Sequence, residues 1–422
     1  MNWKIKMQRT YRHIGVWLCS MLLLLCQACG SSHNDDIAGD TPDVKGPSQL
    51  EINVYTPGHP VVTRAEKVNP DEDEKEVKSL QIWVFVSEDK SSEAGTLSAG
   101  SLVGYLSPQI STPASTDFVG RYQMTVSDLF TTLRPKVNVY VLANVGTTST
   151  GYNLTASTTM EELENALIQN DYFGLSSPMM TEVPADGLPM SGVLKGTEVG
   201  GTQPVLKVQT PVTVVRAISK VRFLFSRTRQ YTSEEDYGSS QELKIAGITI
   251  DNGMIPKAEY LFLANEYSVD GSRPNYRLVT TGDEPYISGS DDNGVSLLPL
   301  TTYANQIPEY EDPSEYSYTG EVTGQDYEDL INAGVEAGHL AEVGRFYIRE
   351  TDQQITGKLH YTIGTDATVK SSTFRMARSG DFSRNHTWIV YGYFSGKELL
   401  RISSVNVLPW VNEYSDHPLY NW

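Results

Sequence analysis

Cysteine is nearly absent from this chain: 422 residues carry three, Cys19, Cys26 and Cys29, and none follows. Beyond residue 29 the chain can build no disulfide framework, thiolate catalysis or cysteine-ligated zinc, so an exported fold must draw its stability from large cores and sheet pairing. Long hydrophobic runs are scarce as well. The strongest, IGVWLCSMLLLLCQAC, falls short of the roughly 20 apolar residues needed to span a bilayer. Positive charge is in deficit, with 33 Lys and Arg against 52 Asp and Glu and a formal charge of -19. That balance argues against a nucleic-acid partner, because phosphate demands the opposite sign.

Signatures of catalysis are missing too. There is no GxSxG, HExxH, GxGxxG or GxxxxGK[ST]. After Arg64 the histidines are His339, His360, His386 and His417, and no two stand at metal-ligand spacing. His360 and His386 lie in strand-like text, where a hydrogen-bonded structural role is expected. Carboxylates are plentiful, yet nothing selects a glycosidase-like pair among them. SDDNGVS lacks the spacing of a calcium loop and reads as an Asn-Gly turn. The expectation is a protein with no catalytic residue, no metal site and no cofactor.

What is present begins at the first residues. Lys4, Lys6, Arg9 and Arg12 precede the short apolar run, and the small Ala28 precedes Cys29, which polar GSSHNDD follows. A basic flank, a short apolar core and a small residue at the cut are the parts of a secretory signal. With a cysteine at the cut site the pattern is that of a bacterial lipoprotein, with Cys29 as lipid acceptor and Cys26, preceded by the bulkier Leu25, as the alternative. Residues 1–29 are thus read as the signal, against a plain secretory signal or an uncleaved anchor. Acyl chains contribute about 0.8 kcal/mol per buried methylene, so a multiply acylated terminus holds firmly to a membrane.

Residues 30–64 read as a polar spacer with a first strand, LEINVY, in which Leu50, Ile52 and Val54 alternate with polar neighbours. VVTR ends at Arg64, and the charged AEKVNPDEDEKEV after it is expected to be exposed, which makes it an easy proteolytic target. SLQIWVFV and KVNVYVLANV then repeat the strand period. Thr158 and Glu161 suggest a capping box, with Met160, Leu163 and Leu167 continuing a helix toward Asn170. TVVRAISKVRFLFS reads as one long strand with Val215, Ala217, Val221, Phe223 and Phe225 on one face and Arg216, Lys220 and Arg222 on a wetted one. ELKIAGITI, GRFYIRE, KLHYTI and HTWIVYGYF continue the β signal. The tyrosine-rich acidic stretch from Tyr303 to Tyr327 reads as a long solvated insertion, with a binding surface as the alternative.

Short strands separated by turns, without strand-helix alternation, predict a mainly β chain. The expected architecture is two tandem antiparallel β-sandwich domains with few short helices, at 65–210 and 211–404, followed by a terminal segment at 405–422.

One set of motifs runs through nearly the whole exported chain: TRA at Thr63 to Ala65, VYVLANV, PMSG at Pro189 to Gly192, VVRAISKV, RNHTWIVYGYF and VNVLPW. Behind a lipoprotein signal, and in this order, they resemble the Bacteroidetes fimbrillin superfamily, the subunits of type V pili. The resemblance implies transthyretin-like sandwiches and a structural, non-enzymatic role in adhesion. It implies a precursor lipid-anchored to the outer membrane, cut between Arg64 and Ala65 by an arginine-specific protease and then built into an extracellular fimbrium.

Loss of the first strand would leave unpaired backbone and open apolar pockets for the last strand of another subunit. The candidate donor is Val405 to Trp422, with Leu408, Trp410, Tyr414, Leu419, Tyr420 and Trp422 as apolar anchors. The implied partners are other fimbrial subunits in a homo- or hetero-polymer, the protease, the outer membrane, and host or bacterial surface ligands. Having both Arg64 and the aromatic tail points to a shaft subunit. The alternatives are a tip or anchor subunit, or a non-polymerising surface lipoprotein that binds glycans.

Overall fold

The computed structural model describes residues 47–56, 72–110, 118–145, 154–169, 179–228, 243–262, 279, 284–289, 294–298, 306–318, 324–376, 382, 384–394 and 400–409. It is mainly β, as expected, with a few short helices. Among the described residues no helix is long and apolar enough to cross a membrane.

Two five-stranded sheets enclose the first core. One contains the first strand, Gln49–Tyr55, with Phe118–Thr125, Val199–Thr202, Val205–Val208 and Val212–Thr213. The facing sheet runs in the order Val215–Arg216, Met190–Thr197, Val137–Ala143, Leu80–Val86, Leu102–Leu106. Their inner faces meet in one apolar cluster, where Leu50, Ile52 and Val54 lie with Leu80, Ile82, Val84, Val139 and Val141. The two-residue alternation of these aliphatics is what commits each strand to one inner face.

A second core lies between a six-stranded sheet built around Ser219–Thr228 and a four-stranded sheet built around Leu243–Ile250 and Thr356–Ile363. Val221, Phe223 and Phe225 meet Ile245, Ile248, Leu359 and Phe374 there. At the far side of the four-stranded sheet Gly294, at φ +91°, allows a close backbone approach: a Cβ would run into the Ile250 carbonyl. Most strand pairs are antiparallel. The exceptions are the first strand against Val205–Val208 and Val212–Thr213, and Ser219–Thr228 against His386–Phe394 and Glu309–Tyr310.

Several local expectations need correction. TVVRAISKVRFLFS is broken at Ala217 and Ile218 into Val215–Arg216 and Ser219–Thr228, and its basic face is not wetted. Arg216, Lys220 and Arg222 are all buried. The cover over Arg222 comes from the tyrosine-rich region and the helix Gly324–Glu336 that follows it. Arg222 donates to Glu328 and Asn332 of that helix at 3.1 and 2.9 Å, and to Glu342 at 2.8 Å.

The described part of the tyrosine-rich stretch is therefore not a solvated insertion. Tyr316 and Tyr327 are buried with Ile331, Leu340, Ile389 and Tyr391 against the outer face of the six-stranded sheet. The helix had a readable signal in Tyr327, Leu330, Ile331 and Val335, which recur at helical spacing.

The capping box sits one residue later than expected. Thr159 caps Met160–Glu164, its side chain accepting from Glu162 N while Glu162 reaches back to Thr159 N. Thr158 instead accepts from Thr155 N, and Leu167 belongs to the strand Leu167–Gln169, paired with Ala258–Tyr260. That pairing claims the backbone donors that would have extended the helix, so tertiary context overrides the local spacing.

Candidate functional site: the seat of the first strand

The first strand is interior to its sheet, with neighbours along both edges. Phe118–Thr125 runs antiparallel to it from Gln49 opposite Thr125 to Tyr55 opposite Phe118. The other edge is shared in sequence by two parallel partners: Gln49, Leu50 and Glu51 lie opposite Val205, Leu206 and Lys207, and Val54 and Tyr55 opposite Val212 and Thr213. Both ends are tied as well. Gln49 N donates to Pro204 O at 2.8 Å, Val126 N to Ser48 O at 3.0 Å, and Val214 N to Tyr55 O at 2.8 Å.

The two faces of the strand differ in chemistry. Leu50, Ile52 and Val54 have no exposed surface and fill the first core. Burying three such side chains contributes roughly 5–9 kcal/mol. On the opposite face Glu51 receives Gln123 Nε2 at 3.3 Å and faces Arg121 at 3.4 Å and Lys207 at 3.9 Å, both cations being substantially exposed. Ring contact between Tyr55 and Phe118, 5.0 Å between centroids, closes the C-terminal end. Gly120, opposite Val54, leaves room for the Tyr122 ring, which a Cβ there would strike. The seat is thus a slot with three aliphatic sockets and two unsatisfied strand edges when empty, and its ion pairs are confined to the rim.

Of the residues singled out in the sequence, Cys26, Cys29, Arg64, Ala65, Trp410, Tyr414, Leu419, Tyr420 and Trp422 lie outside the described residues. Leu408 is in the strand Leu400–Pro409, which pairs antiparallel with His386–Phe394 at the edge of the six-stranded sheet and places Leu408 opposite Thr387. That edge belongs to a different sheet from the slot. The strand ends at Pro409, which has no N–H to continue a ladder. His360 accepts or donates at both ring nitrogens, to Thr249 at 3.1 Å and Ser371 at 2.8 Å, and burial lowers its pKa, with Lys358 adding to the effect. His386 Nδ1 lies 2.7 Å from Arg384 O. No group of His, Cys, Asp and Glu among the described residues could hold a metal ion.

Sequence reasoning overlooked two buried charge clusters. Glu74, from the stretch expected to be exposed, is fully buried and receives Lys220 Nζ at 3.0 Å and Tyr347 OH at 2.7 Å. Arg384 Nε donates to Glu350 Oε1 at 2.9 Å while Glu259 Oε2 accepts from Glu350 N at 3.1 Å. Burial drives the Glu259 pKa up to about 8; Arg384 opposes the rise and Glu350 adds to it. The signal that could have found Lys220 and Arg222 is their alternation inside an otherwise apolar run, which an interior strand tolerates only with paired charges.

Residues 48–216 match the family model described as "Major fimbrial subunit protein (FimA)", a span that opens at the first strand and closes at Arg216. No curated protein matches the chain. Among solved structures, a "putative cell adhesion protein" from Parabacteroides distasonis ATCC 8503 shares 12% identity, covers 86% of this chain and 98% of its own, and has a TM-score of 0.51. A fimbrilin (fimA) from Porphyromonas gingivalis W83 shares 12% identity over 87% of this chain and 99% of its own, at a TM-score of 0.44. The tip fimbrial protein Mfa3 from Porphyromonas gingivalis, with C-terminal truncation, shares 12% over 86% and 100%, at 0.42. Residues 48–216 of this chain, beginning at the slot strand, are thus similar to the major fimbrial subunit family.

Proposed function

We propose that this protein is a structural shaft subunit of a cell-surface fimbrium, and that it polymerises by strand exchange at the slot of Gln49–Tyr55 and supports adhesion. The observation that carries the reading is the position of that strand. It is interior to its sheet, fills three core sockets, and stands ahead of Arg64, so a cut there would separate it from the rest of the fold. In this reading the precursor is lipidated at Cys29, moored to the outer membrane, and cut between Arg64 and Ala65 by an arginine-specific protease. The two sheet pairs are tandem transthyretin-like sandwiches, and the role is structural rather than catalytic.

The incoming strand is the C-terminal segment of another subunit, from Val405 to Trp422, with Leu408, Trp410, Tyr414, Leu419, Tyr420 and Trp422 as its apolar side chains, and Val405 to Pro409 leave their place beside His386–Phe394 to donate it. Main-chain hydrogen bonds give such an added strand its affinity, and the sockets give it selectivity. A sequence likeness supports the pairing of tail and slot. Ile52-Asn53-Val54 in the first strand has its counterpart in Val405-Asn406-Val407. A contact of this kind joins different surfaces of successive copies, so it propagates as an open filament.

The test is direct. Trimming with an arginine-specific protease should release a chain beginning at Ala65, read by mass spectrometry, that forms multimers resistant to mild denaturant. Deleting Leu408 to Trp422 should abolish them. A trimmed protein that stays monomeric at high concentration overturns the reading, and soluble glycans that raise its melting temperature would then favour a binding lipoprotein.

A further inference from the structure

Just ahead of the second strand of the fold, Leu80–Val86, residues 74–78 are held by several buried contacts. Glu74 lies in the short helix Glu72–Lys75 with no exposed surface. Its carboxylate takes a hydrogen bond from Lys220 Nζ at one oxygen, 3.0 Å, and from Tyr347 OH at the other, 2.7 Å. Its backbone carbonyl accepts Arg216 Nε at 2.9 Å. Arg216 N and Nη1 in turn donate to Asn385 Oδ1 at 3.2 and 3.4 Å, and Asn385 N donates to Ile218 O at 2.8 Å. Burial lowers the Arg216 pKa to about 10, with Glu74 opposing the fall.

These partners belong to Val215–Arg216, Ser219–Thr228, Ala341–Ile348 and the turn before His386, and two of those four elements, Ser219–Thr228 and Ala341–Ile348, are strands of the second sheet pair. The next residues return to the first core. Val77 is buried there, Glu76 O accepts from Asn144 Nδ2 at 2.7 Å, and Lys78 N donates to Asn144 Oδ1 at 2.7 Å. Asn144 holds a left-handed backbone at φ +62° and also donates to Leu188 O at 2.8 Å. Five residues, 74 to 78, are therefore tied in turn to the second sheet pair, the first core and the first core's facing sheet.

A buried, fully paired carboxylate is rarely the cheapest way to add stability, since well-packed apolar residues of the same volume often do as well. Its distinctive property is discrimination: the pair is favourable in one arrangement and strongly unfavourable in any arrangement that separates its members. Placed on the chain that leaves the slot, such a pair separates a region that can open from one that cannot.

We propose that Glu74 is a stop lock: held by Lys220, Tyr347 and Arg216, it confines loss of the first strand to the slot itself and keeps residues 74–78 and the strand Ser219–Thr228 in place. The idea rests on the strand-exchange reading for the reason the slot opens, but not for the lock itself. It goes further by explaining why a subunit that gives up an interior strand does not unravel into its second strand and second core.

The experiment uses the full chain and native-state amide hydrogen exchange. Ile52→Ala loosens the first strand without any cleavage. With the lock intact, exchange should rise about tenfold or more across Leu50 to Tyr55 and stay unchanged at 76–78 and 219–222. Adding Glu74→Gln should spread the loosening, with about tenfold faster exchange at 76–78 and 219–222 as well.

The lock is overturned if Ile52→Ala alone loosens 76–78, or if Glu74→Gln leaves exchange there unchanged. Should Glu74→Gln on its own fail to fold, Glu74→Gln with Lys220→Met removes the orphaned charge, and the same two regions are read. Neither outcome depends on multimers forming, so a failure of strand exchange and a failure of the lock are distinguished.

Discussion

Two interior strands of this protein are held by opposite means. Gln49–Tyr55 fills its sheet with Leu50, Ile52 and Val54 inward and a single acidic residue, Glu51, near solvent-accessible cations. Ser219–Thr228 also has an apolar inner face, Val221, Phe223 and Phe225, but its other face carries Lys220 and Arg222 buried against Glu74, Glu328 and Glu342. Apolar burial is non-directional, and any strand of similar shape can substitute for it. A buried charge pair is less forgiving, because a change that removes one partner alone leaves the other uncompensated. The first strand is held chiefly by apolar burial, the second by apolar burial together with paired buried charge.

That contrast can be broken at its strongest point first. Lys220→Ala leaves the Glu74 carboxylate buried without its ammonium partner and should cost about 3–5 kcal/mol by denaturant unfolding. A loss of about 1 kcal/mol or less, the size of an exposed ion pair, would erase the distinction between the strands. Ile52→Ala in the full chain should cost about 2–5 kcal/mol through lost transfer energy and a cavity. On the strand-exchange reading the same substitution costs nothing in protein trimmed at Arg64, so paired unfolding curves of intact and trimmed chains sharpen the comparison.

A third test concerns pH. The Glu259 carboxyl, pushed up to about 8 by burial, keeps a proton in the folded state that an ordinary glutamate in the unfolded chain loses near 4.5. Folding therefore takes up a proton between those values, and stability falls as pH rises through the window from about 4.5 to about 8. Glu259→Gln should remove that fall, so melting temperatures of variant and parent should match at pH 4 and diverge, with the variant higher, by pH 8. The smallest effect belongs to the rim. Glu51→Gln should cost no more than about 1 kcal/mol and less at high salt, because Arg121 and Lys207 are screened by solvent.

Much of this architecture was legible from side-chain order. The two-residue alternation in LEINVY, SLQIWVFV and KVNVYVLANV gave the strands of the first core with their inner faces. Legibility failed where a residue's fate depends on a distant element. Arg216, Lys220 and Arg222 look like a solvated face until the helix Gly324–Glu336 and Glu74 are placed over them. Leu167 continues a helical spacing in Met160–Glu164 but is taken by a strand that pairs with Ala258–Tyr260. The slot shows the same division. Its three apolar side chains were visible, but the parallel partners Val205–Val208 and Val212–Thr213, roughly 150 residues further along the chain, were not.

By itself the sequence determined the β period of the strands, the absence of thiols after Cys29 and the acidic net charge, because each is a property of residues counted or spaced along the chain. Only the tertiary structure decided that the first strand is interior and that Glu74 is buried among Lys220, Tyr347 and Arg216. Both are outcomes of long-range pairing, in which the free energy of a backbone edge or a buried charge is settled by residues far away in the chain.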